Sequence, residues 1–122
     1  MIKNILAIED DRFIGEMYVR NLRNEGFDVD WAIDGNDGLV MARNKKYDLI
    51  LVDIMLPEKR GNTIIEENRK SDSLSKDAKV IFMTNFQHNS AEREEFLKSS
   101  DGYFVKSDTV PRKVAEMIRD LQ

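Results

Sequence analysis

The chain contains no cysteine. Disulfides and thiolate metal sites are therefore excluded, and the composition fits a reducing compartment. It has one histidine, His88, in the polar stretch Gln87-His88-Asn89-Ser90. A catalytic histidine is not expected there, and His88 reads as a surface residue. Positive charge is not in excess: Lys and Arg total 19 against 23 Asp and Glu, a net charge of −4. Direct contact with nucleic acid calls for a basic face, and small clusters such as Arg112-Lys113 do not supply one. No apolar run approaches the roughly 20 residues of a membrane span, and the run after Lys3 is too brief for a signal peptide. Linkers, repeats and low-complexity tracts are missing too. A cytoplasmic protein with no membrane contact is expected. What is present, 41% hydrophobic and 34% charged residues over 122 positions, describes one globular domain.

Two periodicities alternate along the chain. Strand-length apolar runs fall at Asn4–Ile8, Phe27–Ile33, Asp48–Val52, Lys79–Met83 and Tyr103–Val105. Helical patterns lie between and after them. Phe13, Ile14, Met17, Tyr18 and Leu22 recur at helical spacing, with Gly26 as a stop. Val110, Val114, Met117, Ile118 and Leu121 mark a last helix that opens at Pro111. Segments 36–45 and 62–71 read as further helices. Segment 90–98 carries only Ala91, Phe96 and Leu97 as apolar residues, so a loosely held helix is expected. Five βα units imply parallel strands joined by right-handed crossovers. The first, third and fourth runs are continuously apolar, as in strands covered on both faces. A three-layer α/β/α sandwich with a five-stranded parallel sheet follows. Ligands in such sheets bind beyond the carboxyl ends of the strands.

Those ends carry the chemistry. The first run ends in Glu9-Asp10-Asp11, the third in Asp53, the fourth in Thr84 and the fifth in Lys106. Clustered carboxylates repel and call for a neutralising group. Hard oxygen donors at a solvent-facing edge suit Mg²⁺, which keeps several waters. Asp10 and Asp53 are expected as direct ligands, Glu9 through a water, and the backbone carbonyl of Met55 as a further ligand. Asp10 and Asp11 can also be read as helix caps, and for Asp11 that reading is preferred. Asp53 has a second role open to it, as a nucleophile that forms an acyl phosphate. Phosphoryl transfer needs positioning and charge neutralisation, which Mg²⁺ and the Lys106 ammonium would provide. The Thr84 hydroxyl could donate to a phosphoryl oxygen that arrives with transfer, drawing the next loop inward. Tyr103 reads by default as a core aromatic.

With these residues assembled, the chain resembles the receiver domain of two-component response regulators. The matching motifs are Ile8-Glu9-Asp10-Asp11, the segment from Asp48 through Asp53 to Pro57, Gly61, Phe82-Met83-Thr84, and Gly102-Tyr103-Phe104-Val105-Lys106. The resemblance covers the whole length. It implies a flavodoxin-like strand order 2-1-3-4-5. Residues 1–122 read as a single receiver domain with no output domain in this chain, either a stand-alone receiver or a piece of a longer regulator. The resemblance implies that Asp53 accepts a phosphoryl group from a sensor histidine kinase, a phosphotransfer protein or a small phosphodonor. Thr84 and Tyr103 match the switch pair, and Lys106 the family lysine. The partner face would be the fourth helix, fifth strand and fifth helix, engaging a downstream protein, an output domain or a second copy.

Three positions depart from the family pattern. Ser107 follows Lys106 where proline, often cis, is usual; a cis bond here would cost about 3 kcal/mol, so none is expected. Asn85 follows Thr84 where a small residue is usual, which would narrow access to Asp53. Glu58-Lys59-Arg60 is more charged than is typical. Two other functions compete with the phosphorylation switch. A degenerate receiver could serve only as a docking module, but every required side chain is present. An aspartyl-phosphate phosphatase would place an acid two residues after the nucleophile, where this chain has Met55. A signalling phosphoacceptor, rather than an enzyme acting on other molecules, is therefore expected.

Overall fold

In the computed structural model, which describes residues 1–85 and 88–122, strands and helices alternate. The order is β1 (Asn4–Ile8), α1 (Arg12–Asn24), β2 (Asp28–Ala32), α2 (Gly35–Asn44), β3 (Leu49–Asp53), α3 (Gly61–Lys70), β4 (Lys79–Thr84), α4 (Ser90–Lys98), β5 (Gly102–Val105) and α5 (Pro111–Asp120). The strands form one parallel sheet in the order β2-β1-β3-β4-β5. Both the sandwich and its expected strand order are borne out.

Consecutive strand residues serve opposite cores, which explains the unbroken apolar runs. Ile5, Ala7, Leu49, Leu51 and Ile81 pack with Tyr18, Leu22, Val114 and Ile118 under α1 and α5. Leu6, Ile8, Ile50, Val52 and Phe82 pack with Leu39, Ile64, Ile65 and Phe96 under α2, α3 and α4. Each fully buried aliphatic side chain contributes about 1.5–3 kcal/mol of transfer free energy. Helix α4 adds only Phe96 to the buried set, as its sparse pattern foretold.

Helix α1 stops as expected. Gly26 takes a φ of 100°, and the N–H groups of Gly26 and Phe27 donate to the Arg23 and Leu22 carbonyls at 3.0 and 3.1 Å. That is the Schellman arrangement, closed by the apolar Leu22–Phe27 pair in the core. The face that α1 buries is a correction. Phe13 and Met17 are exposed, Phe13 at 91%, and the buried stripe is Gly15, Tyr18, Val19 and Leu22. The reason is a contact with β2: a Cβ at position 15 would stand 2.3 Å from the Trp31 ring, so glycine lets that side of the helix pack there.

Candidate functional site

The site is built at the carboxyl edge of the sheet, from the turns that leave β1, β3 and β5. After β1 the chain turns at Glu9, whose N–H donates to the Ala32 carbonyl at 3.1 Å. Asp11 caps α1, accepting from the Phe13 and Ile14 N–H groups at 2.9 and 3.0 Å. That satisfies donors a helix start leaves orphaned, and frees Asp11 from any need for an ion. Asp10, between them, is exposed, while Glu9 is buried. The Trp31 indole donates from Nε1 to the Glu9 carbonyl at 3.0 Å.

Asp53 is the last residue of β3 and is 2% exposed. Its Oδ1 accepts from the Met55 N–H at 3.0 Å, and its Oδ2 accepts from Lys106 Nζ at 2.8 Å. The loop that follows is tight. Glu58 takes a φ of 69°, an unusual conformation for a non-glycine residue. Gly61 donates its N–H to the Ile54 carbonyl at 2.9 Å. A Cβ at Gly61 would stand 2.2 Å from the Asp53 carbonyl oxygen, so the β3–α3 loop closes only over glycine.

Lys106 opens a short 3₁₀ turn, Lys106–Asp108, directly after β5. No cis peptide bond occurs among the described residues. Without the usual proline, this turn still delivers the ammonium to Asp53 and to Glu9 Oε1. Two carboxylates thus share one ammonium in a nearly closed pocket. Burial pushes the Glu9 carboxyl up to about 8; Lys106 pulls it back and the Asp53 charge adds to the rise. Burial alone would lower Lys106, but its hydrogen bonds to Asp53 and Glu9 outweigh that and hold it raised.

Glu9, Asp10 and Asp53 each offer a carboxylate oxygen, all within 4.8 Å of one another. The donor set is hard oxygen, and one ammonium serves both buried carboxyls, so the second ionises only at a cost that a cation would offset. These residues fit a Mg²⁺ site. The ion would be held by Asp10 and Asp53 with Glu9 beside them, and it would neutralise negative charge on oxygens bound there.

Thr84 ends β4 and is fully buried, one step beyond Met83, which pairs with Asp53 across the sheet. Asn85 follows it and is exposed. Tyr103 lies on β5, half-buried rather than fully in the core, with its ring stacked on Phe96 at 6.0 Å. Its hydroxyl is 2.6 Å from His88 Nδ1. His88 is consequently not a free surface residue, because its ring also meets Phe96 edge-on at 4.9 Å. The sequence offered no cue to that contact, since a polar loop hides what the adjacent helix brings to it. Trp31 also escaped the sequence reading. The available signal was a lone tryptophan on a strand together with a glycine inside a helix.

The comparisons with known proteins agree with this geometry. The family model for the response regulator receiver domain matches residues 5–119. The DNA-binding regulator RpaA of Synechocystis is 33% identical over 114 residues, 93% of this chain and 45% of that protein. The transcriptional activator IrlR of Burkholderia pseudomallei is 36% identical over 103 residues, 84% of this chain and 43% of that protein. The chain thus spans less than half the length of these relatives. Among solved structures, response regulator TrrA from Thermotoga maritima in complex with Mg(2+)-BeF superposes with a TM-score of 0.83 at 30% identity, covering 99% of this chain and all of that one. The chemotaxis regulator CheY4 of Vibrio cholerae shares the fold, with a TM-score of 0.86 at 21% identity over the full length of both chains. Edge carboxylates, their Mg²⁺ chemistry and the strand order converge with the family match: the chain belongs to the receiver domains of two-component response regulators.

Proposed function

We propose that the chain is a phosphorylation-dependent signalling switch in which Asp53 is the phosphoryl acceptor. One observation carries this reading. The Asp53 carboxylate is held by Lys106 at 2.8 Å in a pocket that also gathers Glu9 and Asp10. An Asp53 oxygen attacks the phosphorus of a phosphohistidine or a small acyl phosphate. The new P–O bond replaces the donor's P–N or P–O bond, and the leaving imidazole takes up a proton or the leaving carboxylate departs as an anion. Lys106 then pairs with a phosphoryl oxygen in place of the Asp53 oxygen it held. The Met55 carbonyl, from the same loop, would be a further ligand for the cation. Water slowly hydrolyses the acyl phosphate, and Met55 offers no acid to speed that step.

The Thr84 hydroxyl donates to the phosphoryl oxygen and draws the β4–α4 loop inward. Tyr103 follows, changing the face formed by α4, β5 and α5. The free energy for that change is the contact Thr84 makes only in the phosphorylated state. The donor partner is a sensor histidine kinase or a phosphotransfer protein, and the receiver of the signal is a downstream protein, an output domain or a second copy of this chain. The setting is the cytoplasm. No helix among the described residues is long and apolar enough to cross a membrane.

Mass spectrometry after incubation with Mg²⁺ and acetyl phosphate tests the assignment. One added phosphoryl group is expected on the wild type and none on Asp53→Asn. An adduct that persists in Asp53→Asn sinks it. A wild type that accepts nothing from a small donor or a cognate kinase would instead be a docking module.

A further inference from the structure

We infer that Trp31 is a positioning residue for the divalent-cation site, acting through the peptide between Glu9 and Asp10. The inference rests on the reading of Glu9, Asp10 and Asp53 as that site. Asp10 is the exposed member of the cluster, and its carboxylate makes no hydrogen bond or ion pair with the described residues. Side-chain contacts therefore do not place it; its backbone does. The Glu9 carbonyl and the Asp10 nitrogen belong to one planar unit, so fixing the carbonyl direction fixes where Asp10 leaves the chain. Trp31 Nε1 makes that fixing contact, donating to the Glu9 carbonyl at 3.0 Å. The Glu9 N–H, on the other side of the same residue, is tied to the Ala32 carbonyl at 3.1 Å. Two neighbours on β2 thus grip Glu9 from both ends.

A second observation shows that the indole is seated for this contact. A Cβ on Gly15 would lie 2.3 Å from Cζ2 and 2.6 Å from Cε2 of Trp31. The ring can lie against α1 only because position 15 is glycine. Filling the core beneath α1 requires an apolar ring but not an N–H aimed at the metal-binding turn. Groups that orient a ligand without touching the ion commonly change metal affinity by about 10-fold or more.

Trp31 is the only tryptophan, so a tryptophan analogue supplied biosynthetically alters one position. Benzothienylalanine keeps the indole's shape and replaces its N–H with sulfur. Calorimetric titration of the metal-free protein with Mg²⁺ compares it with wild type and with 7-azatryptophan, which retains the N–H. The expected result is about 10-fold weaker Mg²⁺ binding for benzothienylalanine, with 7-azatryptophan close to wild type. The metal-free melting midpoint should fall by a few degrees for benzothienylalanine, the cost of one hydrogen bond, and stay in place for 7-azatryptophan. Equal Mg²⁺ affinity in all three proteins overturns the inference and leaves the cation site standing. A wild type that binds no Mg²⁺ overturns the site and the inference together. Should the benzothienylalanine protein fail to fold, Trp31→Phe, a smaller apolar ring without the donor, carries the same comparison.

Discussion

At the carboxyl edge of the sheet, Glu9, Asp53 and Lys106 are buried with two carboxylates to one ammonium. At the amino edge, Asn68, Ser73 and Ser75 are as deeply buried, but they are neutral and bonded to one another and to the backbone. Asn68 Nδ2 donates to the Ser75 carbonyl at 2.9 Å, and the Ser75 hydroxyl accepts from the Tyr47 N–H at 2.8 Å. Ser73 Oγ donates to the Ala42 carbonyl at 2.9 Å, tying the end of α2 to the α3–β4 loop. The neutral cluster is complete in itself and stabilises the fold. The charged one is left short of positive charge. Burying it costs stability, and a divalent ion held there would relieve that cost.

The largest effect expected from this contrast lies at the amino edge. Asn68→Ala removes the amide's buried bonds to the Ser75 carbonyl and the Ser73 hydroxyl, and should cost about 2–3 kcal/mol, equally with and without Mg²⁺, in urea unfolding. Asp53→Asn should act in the opposite direction. Above about pH 8, where Glu9 is ionised as well, removing one of two like charges beside Lys106 should raise metal-free stability by about 1 kcal/mol and shrink the stabilisation by Mg²⁺. If Asp53→Asn destabilises as Asn68→Ala does, the two clusters are energetically alike and the contrast fails.

The pH dependence sharpens it further. The Glu9 carboxyl is raised in the fold, so its contribution is fully present below the ordinary value of 4.5 and is lost as pH rises through about 8. Metal-free wild type should therefore lose stability across that window more steeply than Glu9→Gln, and saturating Mg²⁺ should flatten the difference. Identical slopes in thermal melts would remove Glu9 as the cause. The amino edge adds no slope there, because burial and the Asp30 acceptor push the Tyr47 phenol well above its usual range. The smallest effect concerns access. Asn85→Ala should speed phosphoryl uptake from small donors a few-fold, and unchanged or slower uptake would show that Asn85 is no gate.

Much of the site was legible because its residues end apolar runs, and a run's end is visible in one dimension. Glu9, Asp53 and Thr84 are found that way, and the parallel sheet brings them to one edge. Lys106 was legible as a residue, but its aim was not, since Ser107 replaces the usual proline and a 3₁₀ turn does the steering. The face of α1 was misleading. Phe13 and Met17 keep helical spacing, but spacing alone does not say which side a glycine allows to approach a strand. His88 and Trp31 were invisible for a related reason: each acts on a residue far away in the chain, at Tyr103 and at Glu9.

Composition and periodicity by themselves determined a five-unit α/β domain, the acidic and basic residues available at its strand ends, and the exclusion of thiolate chemistry. They do so because burial on both faces of a parallel sheet leaves a local signature in every strand. Only the tertiary structure decided how charge is shared among Glu9, Asp53 and Lys106, that the Trp31 indole bonds the Glu9 carbonyl, and that His88 meets Tyr103. Those are contacts between segments distant in sequence, governed by distance and burial, and neither quantity has a local signature in the chain.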